Sequence, residues 1–151
     1  MAGFIPVDDG HCVGCGPSSE IGLKMTFMVA PDKSVEGTVT IPQRFQGWRD
    51  VVHGGVVALV LDEAMAHAAG AHGVLGVTGD LKLRFRQPVP IGAPIVVRGN
   101  VRWQRRTVLG IEASLRDASG TLLASAEGSF IARATLAPGQ TLGVPSNNGR
   151  P

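Results

Sequence analysis

The segment His53-Gly54-Gly55-Val56-Val57-Ala58-Leu59-Val60-Leu61-Asp62-Glu63-Ala64-Met65-Ala66-His67-Ala68-Ala69 decides how the rest of this chain reads. From Gly54 onward it has no proline and is rich in Ala, Leu, Met and Val. Residues 54–69 are therefore expected to form one helix, about 24 Å long at a rise of about 1.5 Å per residue. The glycine pair is a weak N-terminal cap by composition, and Gly70 followed by Gly73 supplies the expected stop. Only Asp62, Glu63 and His67 are polar in this run. A helix so apolar on every side has to be covered on most of them.

The flanking sequence supplies the cover. Residues 23–29 alternate Leu, Met, Phe and Val with Lys, Thr and Met, which predicts a strand. Pro31, Asp32, Lys33 and Ser34 make a turn, and residues 35–41 alternate again with Val35, Gly37, Val39 and Ile41 on one side. The pair reads as a hairpin. Residues 42–52, with Pro42, Gly47 and Trp48, read as a loop. Beyond the helix, period-two runs at 77–86, 95–103, 107–116 and 122–133 are separated by Pro88, Pro90 and Gly92 and by a turn at 117–120. The order is strand, strand, helix, then four strands, with no second helical period and no internal repeat. That is an α+β domain: an antiparallel sheet of about six strands wrapped around one long central helix. The domain is expected to span residues 1–137, opening with a turn-rich lead at 1–20. Residues 138–151, with three Pro, three Gly and two Asn, are expected to be a flexible C-terminal tail.

Composition narrows the function. A chain of 151 residues suits a single core. At 44% hydrophobic and 17% charged residues it is too apolar and too weakly charged to be a disordered segment. Its longest aliphatic run, residues 56–61, is far short of the ~20 residues a membrane helix needs, so no membrane association is expected. Fourteen Lys plus Arg against twelve Asp plus Glu leave +2, which gives no case for a nucleic acid partner. The first ten residues carry two Asp and no Lys or Arg, the wrong composition for a secretory signal, and a cytoplasmic location is expected. In that setting Cys12 and Cys15 stay reduced or bind something. One Cys-x-x-Cys beside His11 lacks the second ligand pair of a structural zinc site, so no metal and no cofactor are expected.

The polar residues of the helix each need a partner, because an ionised carboxylate is costly to bury alone. Glu63 lies one turn before His67, and the two can satisfy each other as an ion pair at an edge or an interface. Asp62 stacks with Ala58, Leu59, Met65 and Ala66, all apolar. Two readings of it stand level: a carboxylate held by hydrogen bonds from a neighbouring loop, and a functional acid or base. His53-Gly54-Gly55 offers free backbone amides at the positive end of the helix dipole, a ready site for an oxyanion. The same residues also read as a tight turn capped by His53. Gly54 and Asp62 are eight residues apart, about 12 Å along the axis. One substrate carbonyl cannot touch both on the same helix.

Residues 53–66 resemble the signature of the hotdog-fold acyl-CoA thioesterases, the group that includes phenylacetate-pathway and 4-hydroxybenzoyl-CoA enzymes: His-Gly-Gly followed by an acid nine positions after the His. Cys12-Val13-Gly14-Cys15-Gly16, Ile21-Gly22-Leu23, Phe45-Gln46-Gly47-Trp48 and Phe85-Arg86-Gln87-Pro88-Val89-Pro90 resemble one branch of it, and the likeness covers roughly residues 11–133. The resemblance implies a hotdog fold and hydrolysis of an acyl-CoA to a free acid and CoA. It implies that the amides of Gly54 and Gly55, next to His53, bind the thioester oxygen and that Asp62 is the nucleophile or the general base. Thr78 would assist the attacking water. Gly47, where some members carry Asn, and Ala58, Leu59, Met65 and Ala66 would line the acyl site. Arg102, Arg105 and Arg106 would hold CoA phosphates, or else form a solvated turn. The site would lie between two chains, the acid of one facing the glycine of the other, which makes a homodimer the minimum assembly and a tetramer the expected one. Two rivals remain. One is an acyl-CoA-binding protein without turnover. The other is a hotdog hydratase or dehydratase using Asp62 and His67, whose side chains on a helix would diverge by about 140°.

Overall fold

One long helix, α1 (Gly54–Ala71), lies against a single antiparallel sheet of six strands in this computed structural model, which describes residues 3–143. The strands are β1 (Met28–Val29), β2 (Val35–Thr40), β3 (Val74–Phe85), β4 (Pro94–Arg105), β5 (Val108–Asp117) and β6 (Leu122–Thr135). Their order across the sheet is β1-β2-β4-β5-β6-β3, so the chain crosses from β2 over the helix to the far edge before returning. This is the hotdog architecture expected from the sequence.

The helix buries Val57, Val60, Leu61, Ala64, Met65, Ala68 and Ala69. Their three- and four-residue spacing makes one stripe, and that stripe faces the sheet. Opposite it stand Val35 and Val39 of β2, Ile95 and Val97 of β4, and Leu109, Ile111 and Leu115 of β5, all buried. In β2 buried and exposed residues alternate strictly, as a strand with one covered face requires. Helix and sheet meet backbone to backbone at Gly99, where a Cβ would overlap the Ala64 carbonyl.

Beyond shifts of up to three residues at strand ends, three features differ from expectation, each for a local reason. Residues 23–29 were expected as a strand, but only Met28 and Val29 pair with β2. Leu23 and Met25 instead donate to the carbonyls of Val13 and Gly14, both at 2.9 Å, so the N-terminal lead takes up this segment's backbone groups. The helix does not stop at Gly70. It runs on to Ala71, and the left-handed turn falls at Gly73, with φ of 76°. Third, the helix face away from the sheet is covered by the lead, whose Cys12 reaches Glu63, rather than by strands.

At the other end of the chain, Gly143 donates to Asp8 Oδ2 at 2.6 Å and Leu142 lies against Gly70. Residues 144–151 of the expected tail lie outside the described residues. No helix among the described residues is long and apolar enough to cross a membrane. β3 pairs with β6 along one side only, and among the described residues no strand pairs with its other side.

Candidate active site

The start of α1 is built by the loop before it. His53 is the N-cap, and its Nδ1 accepts the Gly55 N–H at 2.9 Å. The His53 carbonyl takes the N–H groups of Val56 and Val57. The His53 N–H donates to Phe45 at 2.9 Å, and the Gly47 N–H donates to Val51 at 2.9 Å, so residues 45–53 fold into a closed loop that sets the cap. Of the two glycine amides expected to bind an oxyanion, Gly55 is therefore engaged by His53. The Gly54 N–H has no partner among the described residues and lies at the exposed helix terminus. Gly47 packs against His53, where a Cβ would come within 3.0 Å of the His53 Cα. It is not among the residues that line the groove described next.

Two turns along the helix, Asp62 is half-buried and its Oδ1 accepts a hydrogen bond from Thr78 Oγ1 at 2.8 Å. Burial pushes the Asp62 carboxyl above the ordinary aspartate range; the Thr78 bond pulls it back, and the neighbouring Glu63 charge adds to the rise. Thr78 sits on β3 beside an irregularity in the pairing with β6, between Thr78 and Asp80. Such a bulge re-aims side chains. Strict alternation would set Thr78 and Leu81 on opposite faces, yet both line one open groove of about 450 Å³ with Gly55, Ala58, Leu59, Asp62, Glu63, Cys12 and Val13.

The remaining expected site residues divide. Ala58 and Leu59 are in the groove with Asp62. Met65 is not: it is fully buried and belongs to the stripe facing the sheet, with its methyl near Gly128. Three residues along a helix is a turn of about 300°, which carries Met65 from the rim where Asp62 sits into the core. Ala66 borders a separate cavity of about 430 Å³ that it shares with Cys12, Cys15, Glu63 and Val74. Arg102, Arg105 and Arg106 are exposed around the β4–β5 hairpin and none lines the groove. Arg102 pairs with Glu112 at 3.3 Å, Arg105 stands over the Trp103 ring, and Arg106 holds the turn with φ of 52°.

Glu63 and His67 do face each other, with 3.3 Å between Oε1 and Nε2, and both side chains are nearly enclosed. His67 stacks on Phe27, with ring centroids 4.4 Å apart. It does not line the Asp62 groove, which removes the geometric basis for a hydratase pair. Sequence reasoning missed Cys12 and Val13 as walls of that groove. The available signal was the pair of glycines at 14 and 16: a Cβ at Gly14 would overlap the Glu63 carboxylate, so its absence lets the cysteine loop settle on the helix, and a Cβ at Gly16 would overlap the Cys12 amide and the Gly10 carbonyl, so its absence lets the loop close on itself.

A family model described as the thioesterase superfamily matches residues 50–124. Among solved structures, the chain is similar to a thioesterase superfamily protein at 29% identity, covering 87% of this chain and 68% of that one, with a TM-score of 0.78. The PaaI protein of the phenylacetic acid degradation operon of Escherichia coli is 18% identical over 76% of this chain and 83% of its own, with a TM-score of 0.69. A hypothetical thioesterase protein from Streptococcus pneumoniae TIGR4, solved as Asp-to-Ala and Thr-to-Ala variants, shares the fold at 14% identity in each. Those structures cover 74% of this chain and 92% and 91% of their own, with TM-scores of 0.69 and 0.68. No curated protein matches the chain.

Proposed function

We propose that this chain, which a thioesterase superfamily model matches over residues 50–124, is an acyl-CoA thioesterase, hydrolysing a thioester to a free carboxylic acid and CoA with Asp62 as its reacting carboxylate. The observation that carries this reading is the Thr78 Oγ1–Asp62 Oδ1 hydrogen bond at the wall of an apolar groove. It holds the side chain in one orientation, and Oδ2 accepts no hydrogen bond from the described residues. Desolvation makes the ionised carboxylate more basic, which suits it to take a proton from water or to attack the carbonyl itself. The altered Asp and Thr of the pneumococcal protein lie as far apart in its sequence as Asp62 and Thr78 do in this one, which supports assigning the two residues to one site.

When the thioester carbonyl is attacked, its oxygen gains a negative charge. The free Gly54 N–H at the helix terminus is the donor for that charge, a contribution of about 3 to 4 kcal/mol when the donor is fixed in place. His53 acts by closing the terminal turn: it takes the Gly55 N–H and so sets the direction of Gly54. Ala58, Leu59 and Leu81 receive the acyl group.

Gly54 and Asp62 of one helix are about 12 Å apart along its axis, so the site is completed across two chains, with Asp62 facing the partner subunit's Gly54. The unpaired side of β3 supports this. It is a twelve-residue edge carrying exposed Phe85, and pairing it with a second copy would satisfy its backbone groups. A homodimer is the minimum unit, and two such dimers make the tetramer. A structure of this fold from Streptococcus mutans was solved bound to acetyl CoA, at 13% identity and a TM-score of 0.70, which supports CoA as the carrier of the acyl group.

The test is release of free thiol from short, medium, long and aromatic acyl-CoAs by wild type and Asp62→Asn. Turnover that vanishes in the variant, with the assembly unchanged by sedimentation, is the expected result. Tight binding of acyl-CoA without thiol release would replace hydrolysis with a binding function.

A further inference from the structure

The cysteine loop and the helix meet at a second cluster that hydrolysis does not use. Cys12 Sγ, Cys15 Sγ and a Glu63 carboxylate oxygen all lie within 4.8 Å of one another. The Cys12 thiol donates to Glu63 Oε2 at 3.5 Å, and the Gly14 N–H donates to Cys12 Sγ at 3.3 Å. On the far side of the carboxylate, His67 Nε2 stands 3.3 Å from Oε1, buried and off the line of a hydrogen bond. The sequence alone argued against a metal because one Cys-x-x-Cys lacks a second ligand pair. The fold brings a further donor from the helix, more than forty residues away in the chain.

The geometry points to a binding site for a thiophilic divalent cation of the zinc type, held by Cys12, Cys15 and Glu63. Two sulfurs and a carboxylate oxygen are a donor set that zinc accepts in tetrahedral array, with the fourth position open to water. Donors about 2.0 to 2.3 Å from such an ion sit about 3.5 Å from each other, the separation Cys12 and Glu63 already have. Closing the remaining separation takes side-chain rotation of about 1 Å. Gly14 donates to one sulfur as an amide does to a bound thiolate, and His67 stands where an outer partner orients a ligating carboxylate.

The cation would displace the thiol protons, so its uptake releases acid. Because Cys12 and Val13 also wall the Asp62 groove, the ion would pin the N-terminal lead to α1 beside the acyl site. Neither Asp62 nor Gly54 is a donor, so the inference stands or falls apart from the hydrolysis reading.

The experiment is titration of the chelator-stripped 151-residue chain with Co2+ as a visible probe, followed by competition with Zn2+. One Co2+ per chain is expected, with a sulfur-to-metal charge-transfer band that Zn2+ abolishes. Cys12→Ser and Cys15→Ser should each remove the band. Glu63→Gln should weaken binding about tenfold or more, and His67→Gln by about ten- to a hundredfold while the band persists. Circular dichroism checks that each variant is folded. If a cysteine variant misfolds, the wild-type band and stoichiometry together with Glu63→Gln decide. Absence of the band in the wild type, its survival in the double cysteine variant, or binding indifferent to Glu63→Gln would overturn the site. So would a Cys12–Cys15 disulfide in protein purified without oxidant.

Discussion

Thr78→Val tests the link between the strand and the helix that makes Asp62 useful. The substitution keeps the shape of a residue on β3 and removes one hydroxyl, the group that donates to Asp62 Oδ1 at 2.8 Å. Hydrogen bonds to charged groups are worth about 1.5 to 3 kcal/mol. Asp62 is only half-buried, so the lower end applies, and about 1.5 kcal/mol corresponds to about a tenfold loss in kcat/KM at neutral pH. The pH profile separates this from a packing defect. Burial already raises the Asp62 carboxyl and the Thr78 bond opposes that rise. Losing the bond lifts the carboxyl further, and because the ionised form is the active one, the acidic limb of kcat/KM must move to higher pH. Thr78→Ser, which keeps the donor, should stay near wild type. In an Asp62→Asn background Thr78→Val should cost nothing more. Measured by thiol release across pH, an unmoved limb with a tenfold loss would mean that Thr78 acts by packing. A Thr78→Val enzyme equal to wild type at every pH would refute the coupling.

Further outcomes follow from the same contacts. Asp62→Asn should lose turnover yet be at least as stable as wild type near neutral pH: a carboxyl raised in the fold stabilises it at low pH, and that contribution is lost as pH rises through the folded value, so removing the charge restores stability there; calorimetry at two pH values checks the sign. His53→Ala removes the acceptor for the Gly55 N–H and should cost about 1 kcal/mol, or about 2 to 4 °C in Tm, with much of it regained in His53→Asn. Gly99→Ala forces a methyl into the Ala64 carbonyl and should cost about 1 to 3 kcal/mol by denaturant melts, whereas at Gly54 a Cβ meets only Phe85 at ordinary contact distance, so Gly54→Ala should melt near wild type. Sedimentation at assay concentration should find no active monomer, and an active one would remove the shared site.

Period-two alternation and one uninterrupted apolar helix carry most of this fold, because burying one face of a strand and one stripe of a helix leaves a mark in every second or every third and fourth residue. What that pattern could not carry were the places where a strand stops obeying it. The irregularity at Gly79 puts Thr78 and Leu81 in one groove against their alternation; a glycine inside a strand pattern is its local mark, but it does not say which side chains the bulge re-aims. Met65 failed for a related reason: neighbours of Asp62 along the helix share its vicinity but not its direction, and the sheet takes the one that points inward. Residues 23–27 had the alternation of a strand, yet their backbone groups are claimed by the loop at Val13 and Gly14, a competition between segments that neither reveals alone. The same loop changes the meaning of Glu63. In sequence it is the partner of His67; in the fold it is the point where a helix carboxylate, a buried imidazole and two thiols converge next to the groove that holds Asp62. Adjacent acids of one helix are thereby given different work by what packs over them: Asp62 lines the groove with one hydroxyl to hold it, while Glu63 is enclosed between the Cys12 thiol and the His67 ring.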